Sequence, residues 1–213
     1  MSQLRITEIF LSLQGEGRST GYPTVFIRLT GCPLRCDYCD TAYAFSGGEW
    51  LSFEEILQQV DAFQADYVCV TGGEPLAQKG CLALLSALCD ADYRVSLETS
   101  GALDISGVDE RVTRIVDLKT PGSGEEERNR ISNLDCLKAD DQVKFVITDR
   151  GDYEWSCEQL KSLRIMDRCE VLFSPAQDKM NPTQLADWMV EDRVRARLQL
   201  QLHKLLWGNQ AGR

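Results

Sequence analysis

Three of the chain's nine cysteines stand together in the segment 31–41, GCPLRCDYCDT, where Cys32, Cys36 and Cys39 have the spacing C-x3-C-x2-C. Thiols this close along a chain can converge on one inorganic centre without a folded span between them, and three of them leave one coordination position open. On zinc, a closed structural site needs a fourth His or Cys. The sole histidine, His203, is remote in sequence, and the next cysteine, Cys69, lies in an apolar run. On a cubane iron–sulfur cluster, the iron that lacks a thiolate is free to bind a second molecule, which turns an electron carrier into a catalyst. Spacing alone leaves both readings standing. Cys69, Cys81, Cys89, Cys136, Cys157 and Cys169 are scattered, several in apolar runs where a thiol packs as a small hydrophobe. An odd count without a secretion signal makes a disulfide framework a poor explanation.

A second pattern, 71–75 (TGGEP), directly follows the apolar run 67–70, YVCV. Glycines at a strand end let backbone groups approach a ligand closely, and Glu74 can accept from an ammonium group. A plain strand-to-helix turn would read the same, and no G-x-G-x-x-G dinucleotide fingerprint occurs. Towards the N-terminus, Gln14 can donate and accept against a heterocycle edge, Gly15 and Gly17 permit close backbone approach, and Glu16 can accept from a guanidine-like face. A solvated turn is the competing reading. Arg28 falls in the otherwise apolar run 24–29, TVFIRL, where a guanidinium is costly without an anion and a substrate carboxylate would suit it. It could instead face outward. Lys144, amid the run 142–147, needs a partner if it points inward, and Asp141 is the candidate.

The elements that must position these residues follow from periodicity. Short β-branched or aromatic runs at 24–29, 67–70, 94–97, 114–118, 142–147 and 170–173 read as strands. Between the second and the first, Phe53, Ile56, Leu57, Val60 and Phe63 recur at helical spacing behind a Ser52 N-cap, with Glu55 completing a capping box. Helices are also expected over 79–91 and 152–163. A fourth starts at Asn181, with Pro182 in its first position and Leu185, Trp188 and Met189 on one face. Strands alternating with helices predict an α/β fold, an abbreviated partial (β/α) barrel of about six mostly parallel strands, because the full eight-unit barrel needs about 250 residues. A single domain over 1–213 is expected, with its core over about 9–207 and a disordered tail at 208–213. The stretch 120–130, TPGSGEEERNR, reads as a loop. Chemistry in such a fold sits at the strand C-terminal ends.

Hydrophobic residues at 43% and charged residues at 26% exclude a disordered chain, and a formal net charge of −10 argues against a nucleic-acid partner. No apolar stretch approaches the roughly 18 residues of a membrane helix, and 1–10 has no signal-peptide core. A cytoplasmic protein with no membrane partner is expected.

With Tyr38 just before the last thiol, the C-x3-C-x2-C loop resembles the signature of the radical S-adenosylmethionine superfamily, and TGGEP resembles that superfamily's GGEP motif. The segments 10–17 (FLSLQGEG), 21–23 (GYP), 26–29 (FIRL), 39–41 (CDT), 98–101 (ETSG), 117–119 (DLK) and 199–204 (QLQLHK) are similar to the 7-carboxy-7-deazaguanine synthase family. The likeness runs over about 9–207. It implies a [4Fe-4S] cluster on Cys32, Cys36 and Cys39, a Mg2+ ion beside Thr41, and S-adenosylmethionine held by Tyr38, Asp40, Gly72, Gly73, Glu74, Gly101, Lys119, Thr120, Pro121, Ser174, Ala176 and Gln177. It implies a pterin substrate held by Leu13, Gln14, Gly15, Glu16, Arg28, Thr99 and His203, the last closing the pocket from the final strand.

The activity implied is that of a lyase. A radical-mediated ring contraction converts 6-carboxy-5,6,7,8-tetrahydropterin to 7-carboxy-7-deazaguanine with release of ammonia, in queuosine and deazapurine biosynthesis, and S-adenosylmethionine is regenerated. An external electron donor such as flavodoxin and a homodimer are implied with it. Two alternatives remain at this stage: another small radical enzyme of the superfamily, such as a glycyl-radical activase, and a structural zinc-binding protein.

Overall fold

A computed structural model describes residues 3–208, 210 and 212. The strands are β1 (Gln3–Leu13), β2 (Pro23–Leu29), β3 (Glu49–Ser52), β4 (Tyr67–Gly72), β5 (Arg94–Thr99), β6 (Thr113–Asp117), β7 (Gln142–Ile147), β8 (Glu170–Pro175) and β9 (Arg197–Leu198). They form one sheet in the order β3-β1-β2-β4-β5-β6-β7-β8-β9. From β2 through β4 to β9 every pairing is parallel, while β1 runs antiparallel to both β2 and β3. The sheet does not close on itself, as expected of a partial barrel. The six runs read from the sequence are the long parallel strands; β1, β3 and β9 are additions at the two ends.

Alternation along the parallel strands assigns their faces. Val25, Ile27 and Leu29 of β2, Val68 and Val70 of β4, Val95 and Leu97 of β5 and Val116 of β6 are buried in one core. Val143, Phe145 and Ile147 of β7, with Val171 and Phe173 of β8, are buried in a second. The residues between them point the other way, because successive side chains of a strand leave opposite faces. Those residues, Arg28, Thr71, Glu98, Asp117, Lys144 and Ser174, line a single cavity.

Helices α1 (Phe53–Ala62), α2 (Cys81–Asp90), α3 (Arg150–Ser162), α4 (Pro182–Glu191) and α5 (Leu202–Trp207) complete the fold. The capping box read at Ser52 is formed: Ser52 Oγ accepts from Glu55 N at 3.3 Å, and Glu55 Oε2 accepts from Ser52 N at 2.7 Å. Pro182 opens α4 behind Asn181, whose Oδ1 accepts from Thr183 N. Two crossovers depart from the expected pattern. Between β5 and β6 no α-helix forms; buried Ile105, Val108 and Val112 of the connecting loop fill the core instead. Between β6 and β7 the chain makes only 3-10 turns, over 121–123, 126–128 and 131–136.

The scattered thiols pack as expected: Cys69, Cys81, Cys89 and Cys169 are buried, and Cys136 and Cys157 are partly buried against the two cores. Of the expected disordered tail at 208–213, residues 209, 211 and 213 lie outside the described residues.

Candidate active site

The three thiols lie at the C-terminal edge of the parallel strands because the loop after β2 is pinned there from two sides. From the strand side, Glu74 N donates to Gly31 O at 2.8 Å and Gly73 N to Leu29 O at 3.2 Å. From the crossover after β6, Asp37 N donates to Ser123 O at 3.0 Å and Arg35 N to Glu125 Oε1 at 2.5 Å. The stretch 120–130 is thus the brace of the cysteine loop. Cys32, Cys36 and Cys39 all face the cavity. Burial pushes the Cys32 and Cys36 thiols above their ordinary value, and the Lys119 ammonium opposes that rise.

The same cavity is lined by Arg28 and Lys144. Arg28 faces inward, so the outward reading is excluded. Its Nε donates to Glu8 Oε1 at 2.7 Å, and its guanidinium carbon lies 5.9 Å from the Phe10 ring centroid and 5.8 Å from that of Tyr43. Lys144 also faces inward, with a different partner from the one expected. Its Nζ is 2.7 Å from Glu16 Oε2 and 3.7 Å from Asp117 Oδ2. Asp141, in the turn just before β7, is buried and engaged elsewhere, by Arg114 Nη2 at 2.7 Å and by the backbone N–H groups of Arg114 and Lys138. Burial alone would lower the Lys144 ammonium, but the Glu16, Asp117 and Glu98 carboxylates outweigh it and raise it well above its ordinary value. Lys119, 3.1 Å from Asp117 Oδ2, is raised in the same way.

Of the residues named from sequence, the cavity wall holds Cys32, Cys36, Cys39, Tyr38, Asp40, Thr41, Gly72, Gly73, Thr99, Lys119, Ser174, Ala176, Gln177, Leu13, Gln14, Glu16, Arg28 and His203. Five stand off it. Glu74 is fully buried, and its carboxylate accepts from Thr99 Oγ1, Ser100 N, Ser100 Oγ and Leu76 N at 2.5–3.0 Å. It ties the ends of β4 and β5 together and is not among the residues that line the cavity. Gly15 is occupied by close packing: a Cβ there would overlap Nδ1 of His203. Gly101, at φ 72°, turns the chain after β5 against Val116. Thr120 is buried with its hydroxyl donating to Val146 O at 3.0 Å, and Pro121 is exposed. His203 does reach the wall, but from helix α5 rather than from a strand. Burial lowers its ordinary value, with the Glu16 carboxylate opposing.

Sequence reading did not single out Glu98, Asp117 and Gln201 as individual wall residues, nor Phe10, Phe26 and Phe45. The signal for Glu98 and Asp117 was present in the alternation of their strands, since each is one residue removed from a buried aliphatic.

The residues present fit the groups that the motifs imply. Among the described residues no three His, Cys, Asp or Glu close round a single ion, and three cavity-lining thiols with no fourth His or Cys beside them suit a cluster with one iron left open better than a closed tetrahedral zinc site. Two polar atoms are buried without a partner on the same wall, the Tyr38 hydroxyl and Asp117 Oδ1. Orphaned atoms at a cavity surface call for a ligand that hydrogen-bonds there. Gly72 and Gly73 complete the cradle: Cβ atoms on them would strike the Leu29 and Gly31 backbone.

The thiol triad, the glycine turn and the incomplete parallel barrel together define a radical S-adenosylmethionine domain, and the Radical SAM superfamily profile matches residues 26–164. A 7-carboxy-7-deazaguanine synthase from Chlorobaculum tepidum is 43% identical over 211 residues, covering 98% of this chain and 96% of its own. One from Koribacter versatilis is 42% identical, covering 96% and 97%. A crystal structure of QueE from Escherichia coli superposes with a TM-score of 0.73 at 26% identity, over 94% of this chain and 95% of that one. The chain belongs to the 7-carboxy-7-deazaguanine synthase family of the radical SAM superfamily.

Proposed function

We propose that this protein converts 6-carboxy-5,6,7,8-tetrahydropterin to 7-carboxy-7-deazaguanine with loss of ammonia, a step in queuosine and deazapurine biosynthesis. The observation that carries the proposal is that the thiol triad and Arg28, Gln14 and Glu16 line one and the same cavity.

Cys32, Cys36 and Cys39 hold a [4Fe-4S] cluster, and Gly72, Gly73, Tyr38, Lys119 and Ser174 to Gln177 hold S-adenosylmethionine. When bound and reduced, this pair would supply one-electron radical chemistry at the cavity. The chain's own residues bind and orient. Arg28 retains guanidinium nitrogens for the substrate carboxylate. Thr41, whose Oγ1 donates to Asp40 at 2.8 Å, keeps its lone pairs for a magnesium ion that otherwise carries water. Phe10, Phe26, Leu34 and Phe45 on the wall exclude water from a reactive centre. Lys144, held protonated by Glu16 and Asp117, fixes positive charge on the floor and keeps Glu16 in place.

The same reading carries an external one-electron donor such as flavodoxin, a homodimer and a cytoplasmic setting as proposals; among the described residues no helix is long and apolar enough to cross a membrane. A glycyl-radical activase, acting on a protein, would have no use for this lining of small-heterocycle contacts. The test is anaerobic turnover with a reductant, S-adenosylmethionine, magnesium and the carboxytetrahydropterin, followed by mass spectrometry. Release of ammonia with the mass of the deazaguanine acid is expected. Intact pterin in the presence of a fully loaded cluster would overturn the proposal.

A further inference from the structure

Three carboxylates on the cavity floor could read a heterocycle, and their partners differ. Glu16 has both oxygens engaged: Oε2 by Lys144 at 2.7 Å and Oε1 by the Gln201 amide at 2.8 Å. Asp117 Oδ2 is taken by Lys119 at 3.1 Å, with Lys144 at 3.7 Å, and its other oxygen is buried beside Tyr38 and the cysteine loop. Glu98 is different. It accepts from Thr71 Oγ1 at 3.0 Å on Oε2 and from Gln14 Nε2 at 3.4 Å on Oε1, and among the described residues no cation lies within ion-pair distance. A carboxylate oxygen has two lone pairs, so Glu16 and Glu98 each retain acceptor capacity, but Glu98, which lines the cavity, is the one of the three whose charge no ammonium or guanidinium answers among the described residues.

We infer that Glu98, rather than Glu16, reads the amidine-like edge of the pterin, its N3–H and 2-amino groups, and thereby sets selectivity for a 2-amino-4-oxopyrimidine ring. The inference rests on the pterin reading above. A planar pair of donors is what two adjacent carboxylate acceptors match. Burial, with the Glu16 carboxylate nearby, pushes the Glu98 carboxyl up from its ordinary value; such a group is costly to keep ionised unless something donates to it. The register gives the length. Arg28 pairs with Thr71, and Val70 with Leu97, so Arg28, Thr71 and Glu98 form a row across β2, β4 and β5. Two strand spacings separate its ends by about 9–10 Å at the backbone, the scale of a bicyclic ring with its carboxylate at the Arg28 end and its amidine edge at Glu98. Gln14, whose Oε1 accepts from Glu16 N at 3.2 Å, orients the carboxylate from the side.

The test is anaerobic titration calorimetry on the cluster-loaded enzyme with S-adenosylmethionine present, using as probes 6-carboxypterin and its analogue without the 2-amino group. The wild-type protein is expected to bind 6-carboxypterin roughly 10- to 100-fold more tightly than the analogue, the worth of a hydrogen bond to a charged group. In Glu98→Gln, whose amide would present a donor to a donor, the ratio is expected to fall to within about threefold. Glu16→Gln is expected to weaken both ligands alike and keep the ratio. Equal binding of the two probes by the wild-type protein, an unchanged ratio in Glu98→Gln, or a lost ratio in Glu16→Gln would each overturn the inference. If Glu98→Gln does not fold, Glu98→Asp, which draws the carboxylate back by one methylene, is expected to lower the ratio, and an unchanged ratio there would overturn the inference. Binding of neither probe by the loaded wild-type enzyme would overturn the pterin reading itself, and this inference with it.

Discussion

Gly73 has no room for a side chain. An added Cβ would strike the Gly31 carbonyl and come within 2.8 Å of Cys32 Cβ, so the glycine turn and the cysteine loop fit against one another. Gly73→Ala is expected to push the loop outward at a cost of roughly 1–3 kcal/mol. All three thiols would remain, yet iron incorporated per chain should drop clearly below wild type in a parallel reconstitution; equal iron content would contradict the fit described. The floor pair makes a second case. Lys144 and Glu16 are each little exposed, at 13% and 11%. Lys144→Met strands a buried carboxylate and is expected to cost roughly 3–5 kcal/mol in urea unfolding, while adding Glu16→Gln should recover part of that loss. Types of residue were legible here, and partners were not. The cysteines and glycines announce themselves by spacing, but whether Glu74 meets a ligand or ties two strands depends on atoms from β5, 25 positions away.

At the scale of elements, the segment 197–207 acts as a clasp on the loop that carries Gln14 and Glu16. Gln199, 3% exposed, accepts from Gly17 N at 3.0 Å and donates to Gly15 O at 3.2 Å, while Leu202 N donates to Gly15 O at 3.1 Å. Gln199→Leu keeps the bulk and removes both side-chain bonds. The expected result is a higher KM for the pterin with an unchanged S-adenosylmethionine dissociation constant; equal shifts in both would contradict a clasp specific to this loop. His203, on the same segment, adds a pH dependence. Its value in the folded protein lies below the unfolded one, near 6.5, so the unfolded chain takes up the proton more readily. The resulting stability is complete above about pH 6.5 and is lost as pH falls through the folded value. Melting temperatures at pH 7.5 and 5.5 should differ more for the wild type than for His203→Gln, and identical differences would count against it.

The parallel strands and α1 and α4 were readable because alternation and capping are local signals. β1, 11 residues long, was not: its register shifts between Ile6 and Glu8, breaking the pattern. β9 has two residues and α5 six, too short for any period to register.

For the molecule as a whole, the open sheet explains how a small ligand reaches the floor. The strands leave one side unpaired between β3 and β9, and the gap on the substrate side is spanned by amides: Gln142 accepts from Arg18 N at 3.0 Å, and Gln199 holds Gly15 and Gly17. Two crossovers without helices leave the β5–β7 edge to loops, one of which braces the cysteines. The alternation of strand and helix patterns pointed to the α/β class, and the chain length to the scale of the barrel. The division of one polar face into a cofactor side and a substrate side required the register. Cys36→Ala is expected to lower iron from about four per chain to a small residue, with the fold retained by circular dichroism; full iron content would remove Cys36 from the ligand set.

On the proposed function, the thiol triad and the Arg28, Gln14 and Glu16 lining of this one cavity act together and return S-adenosylmethionine after each turnover. The most direct test is the ratio of 7-carboxy-7-deazaguanine formed to S-adenosylmethionine consumed in a single anaerobic reaction. The account predicts many products for each S-adenosylmethionine lost; one consumed per product, or cleavage without product, would contradict it.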